Sequence, residues 1–401
     1  MKALFLTNEY PPYVYGGAGV HVEYLSRELG KLSDIDVRCF GDQDGDDNNC
    51  LVKGYEVSDF VTDNCPDKFQ GLMKTLAQCL AFNMDPIDAD IVHCHTWYAQ
   101  FGGILCKLLY GTPLFITVHS LEPLRPWKRE QLGGGYDVSS WIEKTALEMA
   151  DCVIAVSEET KIDVQRLFNV DDEKLKVVYN GIDTQQYSKR QDDGTLLKAG
   201  IDPNKPYVLF VGRITRQKGI IHLVNAIKYF DPDFQVVLCA GAPDTPEIAA
   251  EMKSAITKVQ EQREGVIWIE DMIDKDSAIQ LYSHADVFCC PSIYEPFGII
   301  NLEAMSCETA VVASAVGGIK EVVVPEETGL LIEVEQYTES PFEPKDSEQF
   351  AKDLAAGVNR IMADDELRQK MAIQGRKRAE EKFSWKSIAE QIHDLYQDAL
   401  K

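Results

Sequence analysis

Tyr294-Glu-Pro-Phe-Gly-Ile-Ile-Asn-Leu-Glu303 sets two carboxylates, Glu295 and Glu303, on either side of a turn that contains Gly298. The residues just before it, Asp286-Val-Phe-Cys-Cys-Pro-Ser292, form an apolar run of the length of a buried strand. The residues after it follow a helical pattern, with Ile300, Ala304 and Val311 among its apolar positions. A strand, a Gly-bearing turn and a helix start together aim free backbone N–H groups at an anion. The backbone from Gly298 through Ile299 to Ile300 is therefore an expected phosphate contact. Glu303, one turn into the helix, is placed to take a pair of hydroxyls such as those of a ribose.

Outward from this stretch the chain alternates between strand-like and helix-like segments. In the first half, candidate strands are 2–7, 37–40, 91–95, 114–118, 152–156 and 176–179. Candidate helices lie near 20–32, 67–82, 98–110, 138–150 and 158–168. A polar stretch from about 185 to 205, with Gly194, Gly200 and Pro203, is the expected linker. A second alternation then runs from Tyr207 to about 332, and residues 346–400 are expected to be helical throughout. This pattern predicts two mostly parallel sheets, each covered on both faces. Ligands of such sheets bind at the C-terminal strand ends.

The 401 residues suffice for two or three domains with cores of their own. With 45% hydrophobic and 26% charged residues, the expectation is a soluble globular protein. No apolar run approaches the roughly 18 residues of a membrane span. The opening Met-Lys-Ala-Leu-Phe-Leu-Thr is too short for a signal-peptide core, which points to the cytoplasm. The eleven cysteines fit reduced thiols there. A formal charge of −25 argues against nucleic acid and anionic membranes as partners. Homo-oligomerisation stays open.

In so acidic a chain, cations grouped in turns are informative. Val211-Gly-Arg-Ile-Thr-Arg-Gln-Lys-Gly219 carries Arg213 and Lys218 in one Gly-bounded loop after a strand, the makings of a diphosphate clamp. Gly16-Gly17-Ala18-Gly19 opens a helix without the Gly-x-Gly-x-x-Gly dinucleotide fingerprint, which excludes a dinucleotide oxidoreductase. Gly17 is the expected donor or acceptor contact there. His119 ends the strand Phe115-Ile-Thr-Val-His-Ser120, and Arg125, Lys128 and Arg129 follow it as a candidate site for an acceptor's phosphate. His95 and Trp97 sit at another strand end, where a sugar ring can stack. His93 and His95 share one face without a third ligand nearby in sequence. Asp44 and Asp46 lie in an Asp-rich stretch expected to be a loop. No metal and no cofactor is expected.

The Glu-x7-Glu layout with Phe-Gly after the first Glu resembles the signature of retaining GT-B glycosyltransferases, and Gly-Arg-x4-Lys-Gly resembles their diphosphate loop. The run 119–144, with Tyr179-Asn-Gly-Ile-Asp183 and Gly317-Gly318-x-x-Glu321, resembles bacterial glycogen synthases of the Corynebacterium type, a branch of glycosyltransferase family 4 that includes α-maltose-1-phosphate synthases. The resemblance implies a GT-B fold, two Rossmann-like β/α/β domains facing across a deep cleft. Residues 1–187 would form the acceptor-side domain, with a last helix 384–401 crossing back to it, and 203–383 the nucleotide-sugar domain. It implies Arg213 and Lys218 on the leaving diphosphate, Glu295 and His119 on the donor glucose, and Glu303 on the ribose. The implied reaction moves glucose from a nucleotide-diphosphate glucose, ADP-glucose before UDP-glucose, to a glycogen or other α-glucan chain end. An α-maltose-1-phosphate synthase with glucose 1-phosphate as acceptor is the alternative, and a nucleotide-sugar 2-epimerase of the same architecture a second. A glycoside hydrolase using Glu295 and Glu303 is disfavoured, because a Glu-x7-Glu turn does not face two carboxyls across a bond at about 5–5.5 Å. A sugar-nucleotide sensor is a non-enzymatic rival, distinguished by nucleotide binding without turnover.

Overall fold

The computed structural model describes residues 1–14, 16–47, 50–58, 62–271 and 273–401; Tyr15, in the turn 10–19, lies outside the described residues. The chain divides into two compact units, Met1–Gly181 with Trp385–Lys401, and Ile182–Ser384. Each is a parallel-sheet, Rossmann-like β/α unit.

In the first unit the strands are β1 (Lys2–Leu6), β2 (Asp34–Phe40), β3 (Asp44–Asp47), β4 (Cys50–Tyr55), β5 (Ile91–His95), β6 (Leu114–Val118), β7 (Cys152–Ala155) and β8 (Leu175–Val177). They form one sheet in the order β3-β4-β2-β1-β5-β6-β7-β8. All pairings are parallel except β3 with β4. The central strands β5 and β6 are buried at every position, as continuous apolar runs covered on both faces must be. The Asp44–Asp47 segment, expected to be a loop, is instead the antiparallel edge strand. An edge tolerates the charge that a central strand cannot. The helix Trp385–Ala399 packs on the helix Gly17–Leu29, with the Trp385 ring stacked on Tyr24 at 5.8 Å between centroids. Ile388, Ile392 and Tyr396 join Phe5, Val22 and Leu25 in the core beneath. A Cβ at Gly181 would lie 2.4 Å from the Trp385 ring, so only glycine lets the chain pass there.

In the second unit the strands are β9 (Tyr207–Arg213), β10 (Gln235–Gly241), β11 (Val266–Ile269), β12 (Val287–Cys290), β13 (Ala310–Ser314) and β14 (Gly329–Ile332). Their order is β11-β10-β9-β12-β13-β14, all parallel. Phe210, Leu238, Val287 and Val312 meet Phe350, Leu354 and Val358 of the helix Ser347–Met362 in its core. The region 346–400 is helical as expected, in three helices, with Asp364 capping the second through Leu367 N–H.

The polar stretch 185–205 is built into the second unit. It holds the short helix Gly194–Lys198, and Arg190 N–H and Thr195 N–H donate to the side chains of Ser283 and Gln280. Arg376 donates to the carbonyls of Thr184, Tyr187 and Ser306, tying this stretch to the helix Ile299–Ser306. Its polarity serves hydrogen bonds to neighbouring elements rather than a free linker. All eleven cysteines are free thiols, and no helix among the described residues is long and apolar enough to cross a membrane.

Candidate active site

In the second unit the site grows from the ends of β9 and β12. Thr215 Oγ1 accepts from Lys218 N–H, and Gln217 O accepts from Ile293 N–H, so the loop after β9 lies on the residues after β12. Gly219 adopts φ +60°, and a Cβ there would fall 2.1 Å from Pro291 O. This close approach brings Lys218 Nζ to 2.6 Å from Glu295 Oε2. Ser292 Oγ also donates to that oxygen, at 3.3 Å. Glu295 is 7% exposed, so its charge is balanced by a partner rather than by water. Gly317 and Gly318 brace the turn from behind: Gly318 N–H donates to Glu295 O, and a Cβ at Gly317 would fall 2.0 Å from that same oxygen.

Gly298, at φ +99°, is the N-cap of the eight-residue helix Ile299–Ser306, and Ile299 and Ile300 form its first turn. First-turn N–H groups have no intrahelical acceptor, which leaves them for an anion. Glu303 follows on the same helix. Its two carboxylate oxygens accept from Tyr187 and Tyr282 hydroxyls, at 3.0 and 2.9 Å. Burial raises its pKa above the ordinary 4.5, and the two phenols pull it back. Among the described residues the Arg213 side chain makes a long contact to Asp244, at 3.5 Å, and is two-fifths exposed, so its guanidinium keeps donors for a diphosphate.

The expected residues of the first unit do not gather as one set. Gly17 opens its helix, but Gly16 N–H already donates to Glu9 Oε2 at 2.9 Å, so a carboxylate sits at that helix start. His95 is 0% exposed and Trp97 4% exposed, and buried rings cannot present a face to a sugar. Between them Thr96 takes φ +66°, a strained conformation for a β-branched residue.

Arg125, Lys128 and Arg129 also part company. Lys128 is buried, 3.3 Å from Glu122 Oε1, and burial followed by the Arg125 charge lowers its pKa to about 8. Arg129 is exposed and forks onto both Asp137 oxygens. Arg125 bonds Ser120 Oγ through Nη1, while its buried Nε has no partner among the described residues. Of the three, Arg125 retains donor capacity for an acceptor.

His119 follows β6 and is half-buried, with its Nε2 3.2 Å from Nδ1 of His95. His21, on the helix Gly17–Leu29, completes a group of three imidazoles. His21 Nδ1 pairs with Asn180 Oδ1 at 2.7 Å. One nitrogen from each of His21, His95 and His119 lies within 4.8 Å of the others, a donor set capable of holding a metal ion. The sequence pairs His95 with His93 instead, since the three members come from three separate elements. Burial lowers all of their pKa values below 6.5, His21 to about 4, so these rings are neutral at pH 7.

Sequence pattern alone did not mark His21, Tyr187, Tyr282, Glu122 or Glu143, the last a buried carboxylate that accepts from Glu122 N–H at 2.8 Å. His21 lies two residues after the Gly-rich turn, and its partner Asn180 lies in the Tyr179–Asp183 motif, which was the available signal. Nothing local marks the others.

The family model of glycosyltransferase family 4 matches residues 15–186, and that of the glycosyl transferases group 1 matches 196–341. The chain is 47% identical over 405 residues to the α-maltose-1-phosphate synthase of Mycolicibacterium smegmatis, covering 99% of both.

The chain belongs to glycosyltransferase family 4.

An α-maltose-1-phosphate synthase of Mycobacterium tuberculosis is 43% identical over 400 residues, again with 99% of each chain covered. Among solved structures, sucrose-phosphate synthase from Thermosynechococcus elongatus superposes with a TM-score of 0.79 at 26% identity, covering 99% of each chain. The fold is thus that of the GT-B glycosyltransferases, and the protein is a glycosyltransferase. For a family 4 glycosyltransferase the Lys218–Glu295 turn and the helix start at Ile299 form a unit suited to a nucleotide-sugar diphosphate. The relatives' names match the alternative expectation, an α-maltose-1-phosphate synthase, better than the first one, a glycogen synthase.

Proposed function

We propose that this glycosyltransferase transfers glucose from a nucleotide-diphosphate glucose, ADP-glucose by resemblance, to glucose 1-phosphate, with retention at the anomeric carbon. The observation that carries the acceptor is the 43–47% identity, over 99% of the chain, to proteins named α-maltose-1-phosphate synthase.

In this reading the bond from glucose C1 to the diphosphate oxygen breaks as the acceptor hydroxyl bonds C1 on the same face. The hydroxyl proton passes to the departing diphosphate. Arg213 and Lys218 offset the charge that grows on that diphosphate, helped by the N–H groups of Ile299 and Ile300. Preorganised donors of this kind contribute about 3–4 kcal/mol each to a transition state. When the diphosphate draws Lys218, Glu295 is released to accept from glucose hydroxyls, so their contact at 2.6 Å is a poised exchange of partners. Glu303, held by Tyr187 and Tyr282, takes the ribose. His119 takes a glucose hydroxyl, and Arg125, whose side chain is only partly buried, takes the acceptor's phosphate.

The test is nucleotide release. The purified enzyme with ADP-glucose should release ADP on addition of glucose 1-phosphate. Release with glycogen alone would return the reading to a glycogen synthase.

A further inference from the structure

His95 is buried at 0% exposure, yet it hydrogen-bonds the one imidazole of its cluster that is only half-buried. Its ring is held on several sides. Phe5 lies at 5.0 Å between centroids, His93 at 4.3 Å and His21 at 5.4 Å. His93 is itself fixed, with Nδ1 2.5 Å from the Tyr396 hydroxyl and Nε2 2.7 Å from Thr117 Oγ1. A ring so enclosed cannot turn to meet a substrate, but it can set the ring that does.

We propose that His95 is a positioning residue for His119, fixing through the Nδ1–Nε2 bond both the orientation and the tautomer of that ring. Between two neutral imidazoles one nitrogen donates and the other accepts, so the two tautomers are coupled. His95 Nε2 is buried without a partner among the described residues. A buried orphan N–H is rarer than an under-satisfied acceptor, so the proton belongs on His95 Nδ1 and a lone pair on its Nε2. His119 then accepts at Nε2, carries its proton on Nδ1, and offers an N–H donor to the sugar. The inference rests on the reading that His119 meets the donor glucose. The hydrogen bond is favoured over a bound cation because His95 Nδ1 and His119 Nε2 already stand at hydrogen-bond distance, 3.2 Å; the rival occupant would take the buried His21 Nε2, which has no partner among the described residues.

The experiment pairs 15N NMR of histidine-labelled full-length enzyme with kinetics of two variants. In the wild type, His119 should show a protonated Nδ1 and an unprotonated Nε2. His95→Leu should lose that single tautomer and lower kcat about 10- to 100-fold, the scale of a misplaced catalytic group, with the KM for glucose 1-phosphate unchanged. His95→Asn, whose amide nitrogen stands near the lost Nδ1, should recover most of both. A wild-type His119 protonated at Nε2, or a His95→Leu enzyme with unaltered tautomer and kcat, overturns the proposal. So does one equivalent of Zn2+ bound by the wild type and lost in His95→Leu, which would assign the imidazoles to a cation. An active His119→Ala enzyme alongside the expected wild-type tautomer would remove the sugar contact while leaving the His95–His119 bond standing.

Discussion

Lys218 Nζ stands 2.6 Å from Glu295 Oε2, although the two are 77 residues apart in sequence. Glu295 is buried, so Lys218 balances its charge, and in the proposed function Lys218 also meets the leaving diphosphate. Lys218→Ala should lower Tm, because it leaves Glu295 without its cation, and lower kcat about 10²- to 10³-fold. Adding Glu295→Gln should restore Tm without restoring kcat. Thermal melts and steady-state kinetics on the double-mutant cycle check this. Recovery of kcat in the double variant would make the pair purely structural.

Gly317 adopts φ +49°, and a Cβ there would meet Glu295 O at 2.0 Å. Gly317→Ala should cost about 1–3 kcal/mol in stability and displace the turn that carries Glu295. Gly194, with nothing within 4 Å and no positive φ, is the matching control. Denaturant melts should show the loss at 317 and little change for Gly194→Ala.

Four buried or half-buried histidines share depressed pKa values, for which burial is the main cause. Below pH 6.5 the unfolded chain takes up protons that the folded chain refuses, so stability is full above 6.5 and falls as pH drops. For His21, depressed to about 4, the loss between pH 6.5 and 4 is on the order of 3 kcal/mol. Urea melts at pH 7 and pH 5 should show it. His21→Asn, which keeps a donor for Asn180, should flatten the slope by one of its contributors. An unchanged slope would mean that His21 is not buried neutral.

Three nearby cations should separate by phenotype. Lys128→Ala leaves Glu122 and Glu143 buried with less compensation and should cost about 3–5 kcal/mol. Arg129→Ala, which removes an exposed ion pair with Asp137 and a contact at 4.9 Å with the Tyr136 ring, should leave kinetics unaltered and change Tm little. Arg125→Ala should raise the KM for glucose 1-phosphate at least tenfold while sparing that for the nucleotide sugar. Substrate titrations on the three variants check this, and a uniform effect would contradict the division.

The legible parts of this chain were those whose cause is local. The apolar runs at 91–95, 114–118 and 310–314 are buried strands because such runs have no other stable place, and the loop 211–219 and the turn 294–303 declare themselves by Gly spacing. The strand Asp44–Asp47 was hidden because an edge strand needs no apolar pattern. The burial of His95 and Trp97 was hidden because neither residue type announces which face of a strand end it takes. Lys128 and Arg129 looked alike in sequence, and only the fold supplies Glu122 to one and Asp137 to the other. The cluster of His21, His95 and His119 joins three elements, so no spacing rule could reveal it.

The most direct test of the account is product identification after incubation of the enzyme with ADP-glucose and glucose 1-phosphate, by mass spectrometry and 31P and 1H NMR. The account predicts a phosphorylated disaccharide with an α-1,4 bond and an intact anomeric phosphate, formed mole for mole with ADP. A glucan lengthened only when glycogen is supplied, or no nucleotide release with either acceptor, would contradict it.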